Sequence, residues 1–120
     1  MFRTREIPAE RWGAYLRRLA EHERDHPVRL EIIGRDVGNF PMEAHAPLLD
    51  IELATKGSAE GSIEVTFGGP AGQLLEHRIE KPTRVYVEEN AAGEVEVLDI
   101  ESREQRKTLL VFEHPMVLEA

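Results

Sequence analysis

PTRVYVEENAAGEVEVLDIES, residues 82–102, decides the fold class. Val85 and Val87 alternate with Arg84, Tyr86 and Glu88 on one side of Asn90-Ala91-Ala92-Gly93. On the other side Val95 and Val97 alternate with Glu94 and Glu96, so the stretch has the period of two half-buried strands. Asn suits the first position of a type I turn and Gly the left-handed residue after it. A three-residue loop, Ala91 to Gly93, therefore places Asn90 opposite Glu94. Counting from this turn sets Val87 against Val97 on the inner face and Glu88 against Glu96 on the outer, a like-charge pair. A four-residue loop would set Val87 against Glu96 and is rejected. The alternation slips at Val97-Leu98, after which Leu98 and Ile100 are apolar and Asp99 and Glu101 charged. Either a β-bulge flips the parity, or Tyr86, Leu98 and Ile100 form a second apolar patch that another element covers. Both readings require a curved or two-sided sheet.

Working upstream, Pro8 is a favourable first helical residue. Trp12, Tyr15, Leu16, Leu19 and Ala20 follow at the spacing of one apolar helical stripe. The spacing predicts an amphipathic helix over about 8–25, with Trp12 docking it on the sheet and Pro27 ending it. Alternating segments then predict strands over about 28–33, 48–55, 62–68, 73–80, 83–89, 94–101 and 107–113. Phe40 to Ala44 reads as an edge strand or an irregular connection, because Pro41 within it and Pro47 after it demote it. Thr108-Leu109-Leu110-Val111-Phe112 is apolar on both faces and predicts a central or covered strand. The whole, 1–120, reads as a single α+β domain: one N-terminal helix packed on a bent antiparallel sheet, a meander that could close partly into a small barrel.

The chain has no cysteine, which removes disulfides, thiolate metal sites and cysteine nucleophiles and points to the cytoplasm. No apolar run approaches a membrane span, and the first residues lack the apolar core of a signal peptide. Fifteen basic residues stand against 23 acidic, a net charge of -8. Residues 1–60 carry 9 basic and 11 acidic, whereas residues 61–120 carry 6 and 12. Such a surface repels phosphate backbones and anionic headgroups, so neither nucleic acid nor a membrane is an expected partner.

His22-Glu23-Arg24-Asp25-His26 matches the H-E-x-x-H pattern, in which two His one turn apart bind zinc and the Glu activates water. It sits in the last helical turn against Pro27, and Arg29 and Ile32 stand where a continued motif would need Gly and a third His. The expectation is a polar helix end rather than a metal site. His77, between Leu75 and Ile79 on an apolar face, is expected to find a backbone partner or lie at a sheet margin; with His22 and His26 it completes the metal candidates. Glu88 and Glu96 are read as solvated charge, and Gly68-Gly69-Pro70-Ala71-Gly72 as a turn, since it lacks the lysine and helix of a phosphate loop.

R-E-I-P-A-E-R-W at residues 5–12 with Leu16 and Leu19, H-P-V at 26–28, K-P-T-R-V-Y-V-E at 81–88 and T-L-L-V-F at 108–112 together resemble a family of short bacterial proteins. That family is known only as a domain of unknown function. The resemblance implies no activity, ligand or cofactor. The expectation is therefore an acidic, non-enzymatic domain acting through protein contacts, as a homodimer or accessory subunit. Its contact surface would be the apolar tail Met116, Val117 and Leu118, or the patch of Tyr86, Leu98 and Ile100. The alternatives are a small metal-dependent hydrolase using His22, Glu23 and His26, and a small-barrel RNA binder of the Sm-like kind, which the charge opposes.

Overall fold

The computed structural model describes residues 2–34 and 38–113, with the backbone alone at 38–45, 59 and 104. Among these residues eight strands form the sheet: β1 (Arg3–Ile7), β2 (Pro27–Gly34), β3 (Gly38–Leu53), β4 (Ile63–Gly68), β5 (Leu74–Ile79), β6 (Pro82–Glu89), β7 (Val95–Ser102) and β8 (Arg106–Phe112). Among the described residues a single α-helix, α1 (Trp12–Glu23), lies between β1 and β2. The strand order is β1-β6-β7-β8-β2-β3-β4-β5, and the pairings along it are antiparallel. The α+β expectation holds. Instead of one meander there are two, β2 to β5 and β6 to β8, joined where β8 pairs with β2. The sheet is open, with β1 and β5 at its edges, so it is not a closed barrel.

Strand β3 links the two ends of the strand order. Its first half, as far as Pro47, pairs with β2, and from Leu48 its second half pairs with β4, with an irregularity between Leu48 and Asp50 inside that second pairing. One strand thereby belongs to two parts of the sheet. Helix α1 packs on β3. Its stripe of Trp12, Leu16, Leu19 and Ala20 is buried in a cluster with Ile7, Leu48, Ile51, Val65, Val85, Val87, Leu98 and Leu110. The helix starts later than expected, after a 3₁₀ turn at Ala9–Arg11. It also ends earlier, because Arg24 is extended and Asp25 takes a left-handed φ of 69°. The Asp25 N–H then donates to Leu48 O at 2.8 Å, which ties the helix exit to β3 two residues before Pro27 could act. Among the described residues no helix is long and apolar enough to cross a membrane.

In the β6–β7 hairpin the expected turn is present. Asn90 N–H donates to Glu94 O and Gly93 N–H to Asn90 O, both at 2.9 Å, and Gly93 has the left-handed φ of 83° that glycine adopts without strain. Beyond the turn the regular ladder fails. Glu89 pairs with Val95 but Glu88 pairs with Val97, so Glu96 is an extra residue on β7. Val87 consequently faces Leu98, not Val97, and Glu88 does not oppose Glu96. Glu96 Oε1 instead accepts from Asn90 Nδ2 at 2.7 Å. Of the two readings left open by the parity slip, the bulge is the one adopted.

Candidate functional site

The bulge disposes of the expected apolar patch. Leu98 and Ile100 are wholly buried in the core, whereas Tyr86 pairs with Asp99 and points to the opposite face. These three side chains therefore share no surface. On the outer face beside Tyr86, burial pushes the Asp99 carboxyl above the usual carboxylate range. The tail candidates Met116, Val117 and Leu118 lie outside the described residues.

The H-E-x-x-H residues occupy the last turn of α1. His22 is exposed, while Glu23 is only 1% exposed and bonds His26 Nδ1 through Oε2 at 2.7 Å. A carboxylate held inside the core against its neighbouring imidazole ties the helix end to the strand that follows; it is not presented to a metal-bound water. Among the described residues no three His, Asp or Glu side chains converge as metal ligands. Glu23→Ala is expected to destabilise the protein by about 1–3 kcal/mol, because its buried side chain leaves a gap and its part-buried hydrogen bond to His26 is lost. His22→Ala should stay within about 0.5 kcal/mol, as surface substitutions do. Urea unfolding of the two variants checks the contrast.

Strand β5 gathers the remaining features. Leu75, His77 and Ile79 pair with Phe67, Val65 and Ile63 of β4 and share the inner face. His77 is half-buried at the sheet margin, and burial lowers its pKa, so the imidazole is neutral at pH 7. On the other side β5 has no strand neighbour among the described residues. Gly69 N–H donates to Gln73 O at 2.7 Å. In step with that rung, the N–H and C=O of Leu75 and His77 point to β4, and those of Leu74, Glu76 and Arg78 point to the free edge. Leu74 is 67% exposed and Leu75 37%. The opposite edge, β1, is short and charged, with Arg3 and Arg5 held on Glu89 at 3.2 and 3.3 Å, a common protection against strand addition. The β5 edge carries Glu76 and Arg78 beside the two exposed leucines.

A cleft of about 290 Å³ opens between the inner face of β5 and the β2–β8 part of the sheet. Ile32, Ile79 and Thr108 line it together with His77, and Arg78, Lys81, Arg103 and Arg106 bring positive charge to it. Sequence reasoning picked out His77 alone. The signal for the others was the run Arg103, Arg106 and Lys107 within the more acidic half of the chain.

An uncharacterized protein of Aquifex aeolicus (strain VF5) is 25% identical over 107 residues, 89% of each chain. No solved structure matches. The model of a family of unknown function, DUF5335, matches residues 3–120, and the chain belongs to that family.

Proposed function

We propose that the protein is a non-enzymatic contact module that pairs with a second copy of itself, edge to edge along β5. The observation that carries this is the self-complementarity of that edge. Two β5 strands laid antiparallel and centred on His77 bring Glu76 of each opposite Arg78 of the other. Leu75 then faces Ile79, and the outward N–H and C=O groups of Glu76 and Arg78 become the hydrogen-bonded rungs. Opposite charges directly across a rung stabilise a strand pair. Shifting the register by two residues in either direction sets Glu76 against Glu76 or against Glu80, so the charge pattern selects one alignment. The neutral imidazole of His77 suits the axis, where two copies would meet. Arg78 already contacts Glu64 of β4 at 3.3 Å, and a guanidinium has donors enough for a second carboxylate.

A native mass spectrum at micromolar concentration is expected to show a dimer. Arg78→Glu sets Glu against Glu twice and should weaken the dimer at least tenfold. Adding Glu76→Arg to that variant restores the complement and should restore the dimer. A monomeric wild type, a dimer indifferent to Arg78→Glu, or an exchange that restores nothing would each overturn the proposal.

A further inference from the structure

We infer that the cleft beneath β5 binds a phosphate group, carried by a small molecule, between Lys81 and Arg103. The cleft shares His77, Arg78 and Ile79 with β5, but Lys81 and Arg103, which would hold the phosphate, lie outside that edge. The first ground is charge. The chain has a net charge of -8, and residues 61–120 hold only six basic side chains. Four of those six, Arg78, Lys81, Arg103 and Arg106, line this one cleft, against a single acidic residue among its described lining, Glu80. Arg78 is engaged with Glu64 at 3.3 Å. Lys81 and Arg103 form no ion pair among the described residues. Evolution of an acidic surface would scatter its few cations as solubilising partners for carboxylates; here they converge. A cleft lined by one sign of charge concentrates the opposite ion.

The second ground is how the two cations are held. Lys81 lies in the β5–β6 connection and Arg103 in the β7–β8 connection. The Arg103 N–H donates to Lys81 O at 3.3 Å, which staples the two connections side by side. Lys81 has a φ of 52° and Gln105 a φ of 59°, left-handed conformations that residues other than glycine rarely adopt. Two such residues flanking one cleft, far apart in sequence, are backbone outliers of the kind that cluster at ligand clamps.

The third ground is the shape and chemistry behind the cations. Ile32 and Ile79 provide an apolar floor and Thr108, 3% exposed, a hydroxyl within it. His77 is kept neutral by burial, so it adds an N–H donor without repelling the cations. At about 290 Å³ the space suits a small ligand, near the lower limit of about 300 Å³ for small-molecule pockets. A second hollow of about 420 Å³ shares Glu80, Lys81 and Arg103 and is lined by Ser58, Ser62 and Thr83, so the remainder of a larger molecule has a hydroxyl-rich place to lie. Cations approaching from two separate connections match a tetrahedral dianion better than a planar carboxylate, which one guanidinium satisfies with a single pair of parallel bonds.

The test uses inorganic phosphate as the probe and amide shifts of the isotope-labelled full chain as the readout. Saturable shifts are expected at His77, Ile79 and Thr108 and in the two connections, and sodium chloride at equal ionic strength should not reproduce them. Acetate should act at least tenfold more weakly. The double variant Lys81→Ala, Arg103→Ala should bind at least tenfold more weakly than the parent. Both side chains are exposed, so the fold should survive; Arg103→Gln, which keeps the stem and removes only the charge, should weaken binding in the same direction. Absence of saturable shifts, shifts centred elsewhere, an acetate response equal to phosphate, or variants that bind as the parent does would each overturn the assignment.

Discussion

Leu98→Ala is expected to lower stability by about 2–5 kcal/mol, the range for emptying a buried leucine site, whereas Val97→Ala should cost about 1 kcal/mol or less. The contrast follows from one residue, Glu96. Its insertion opposite Glu89 turns Leu98 inward between Val87 of β6 and Leu110 of β8, and all three side chains have no exposure. Val97, set between Glu88 and Val111, is only half-buried on the other face. Without the bulge the two residues would exchange places, and the larger loss would fall on Val97. Leu98→Asp, which buries a charge in the same place, should abolish folding. Urea midpoints at an unchanged denaturant slope would report the difference as native stability rather than a change in the unfolded chain. A loss at Val97 equal to or larger than that at Leu98 would contradict the register.

That same residue shows what could be read in the chain. The turn was legible because Asn90 and Gly93 each meet a stereochemical demand that few residue types meet. The parity slip at Val97-Leu98 was equally visible, but alternation alone does not say whether a bulge or a second buried face absorbs it. Strand β1 was invisible for a different reason. At the sheet edge only its Ile7 is buried, and Arg3 to Glu6 are exposed, so no apolar period marks it. The first half of β3 was obscured by Pro41 and Pro47. Before the handover at Leu48 that half pairs with β2 alone, and a strand with one free side tolerates the missing N–H of proline. The cleft was the least legible feature. Its lining runs from Ile32 to Thr108 across five separate segments, and no spacing rule links residues that only the joining of β8 to β2 brings together.

Trp12→Ala should be the most damaging truncation on the helix, at about 3–5 kcal/mol for a buried aromatic. The sequence placed Trp12 as the anchor of α1 on the sheet; its position gives it a second duty. The indole Nε1–H donates to Ile7 O at 2.9 Å, and the ring is only 9% exposed. Ile7 ends β1, a strand whose one sheet neighbour is β6. Trp12 therefore fixes the helix and the edge strand at once. Trp12→Phe separates the two duties, because it retains most of the apolar volume but leaves the Ile7 carbonyl unpaired, at a cost of about 1–3 kcal/mol. Hydrogen exchange distinguishes the variants further. In Trp12→Phe the amides of β1 should lose protection while those of β7 and β8 keep theirs, since an edge held by a single neighbour opens before the centre of a sheet. In Trp12→Ala protection should fall throughout, because a domain of this size has only about 5–15 kcal/mol to lose. Uniform loss in both variants would mean that β1 is not a separable unit; retention of β1 protection in Trp12→Phe would mean that its pairing to β6 suffices without the indole.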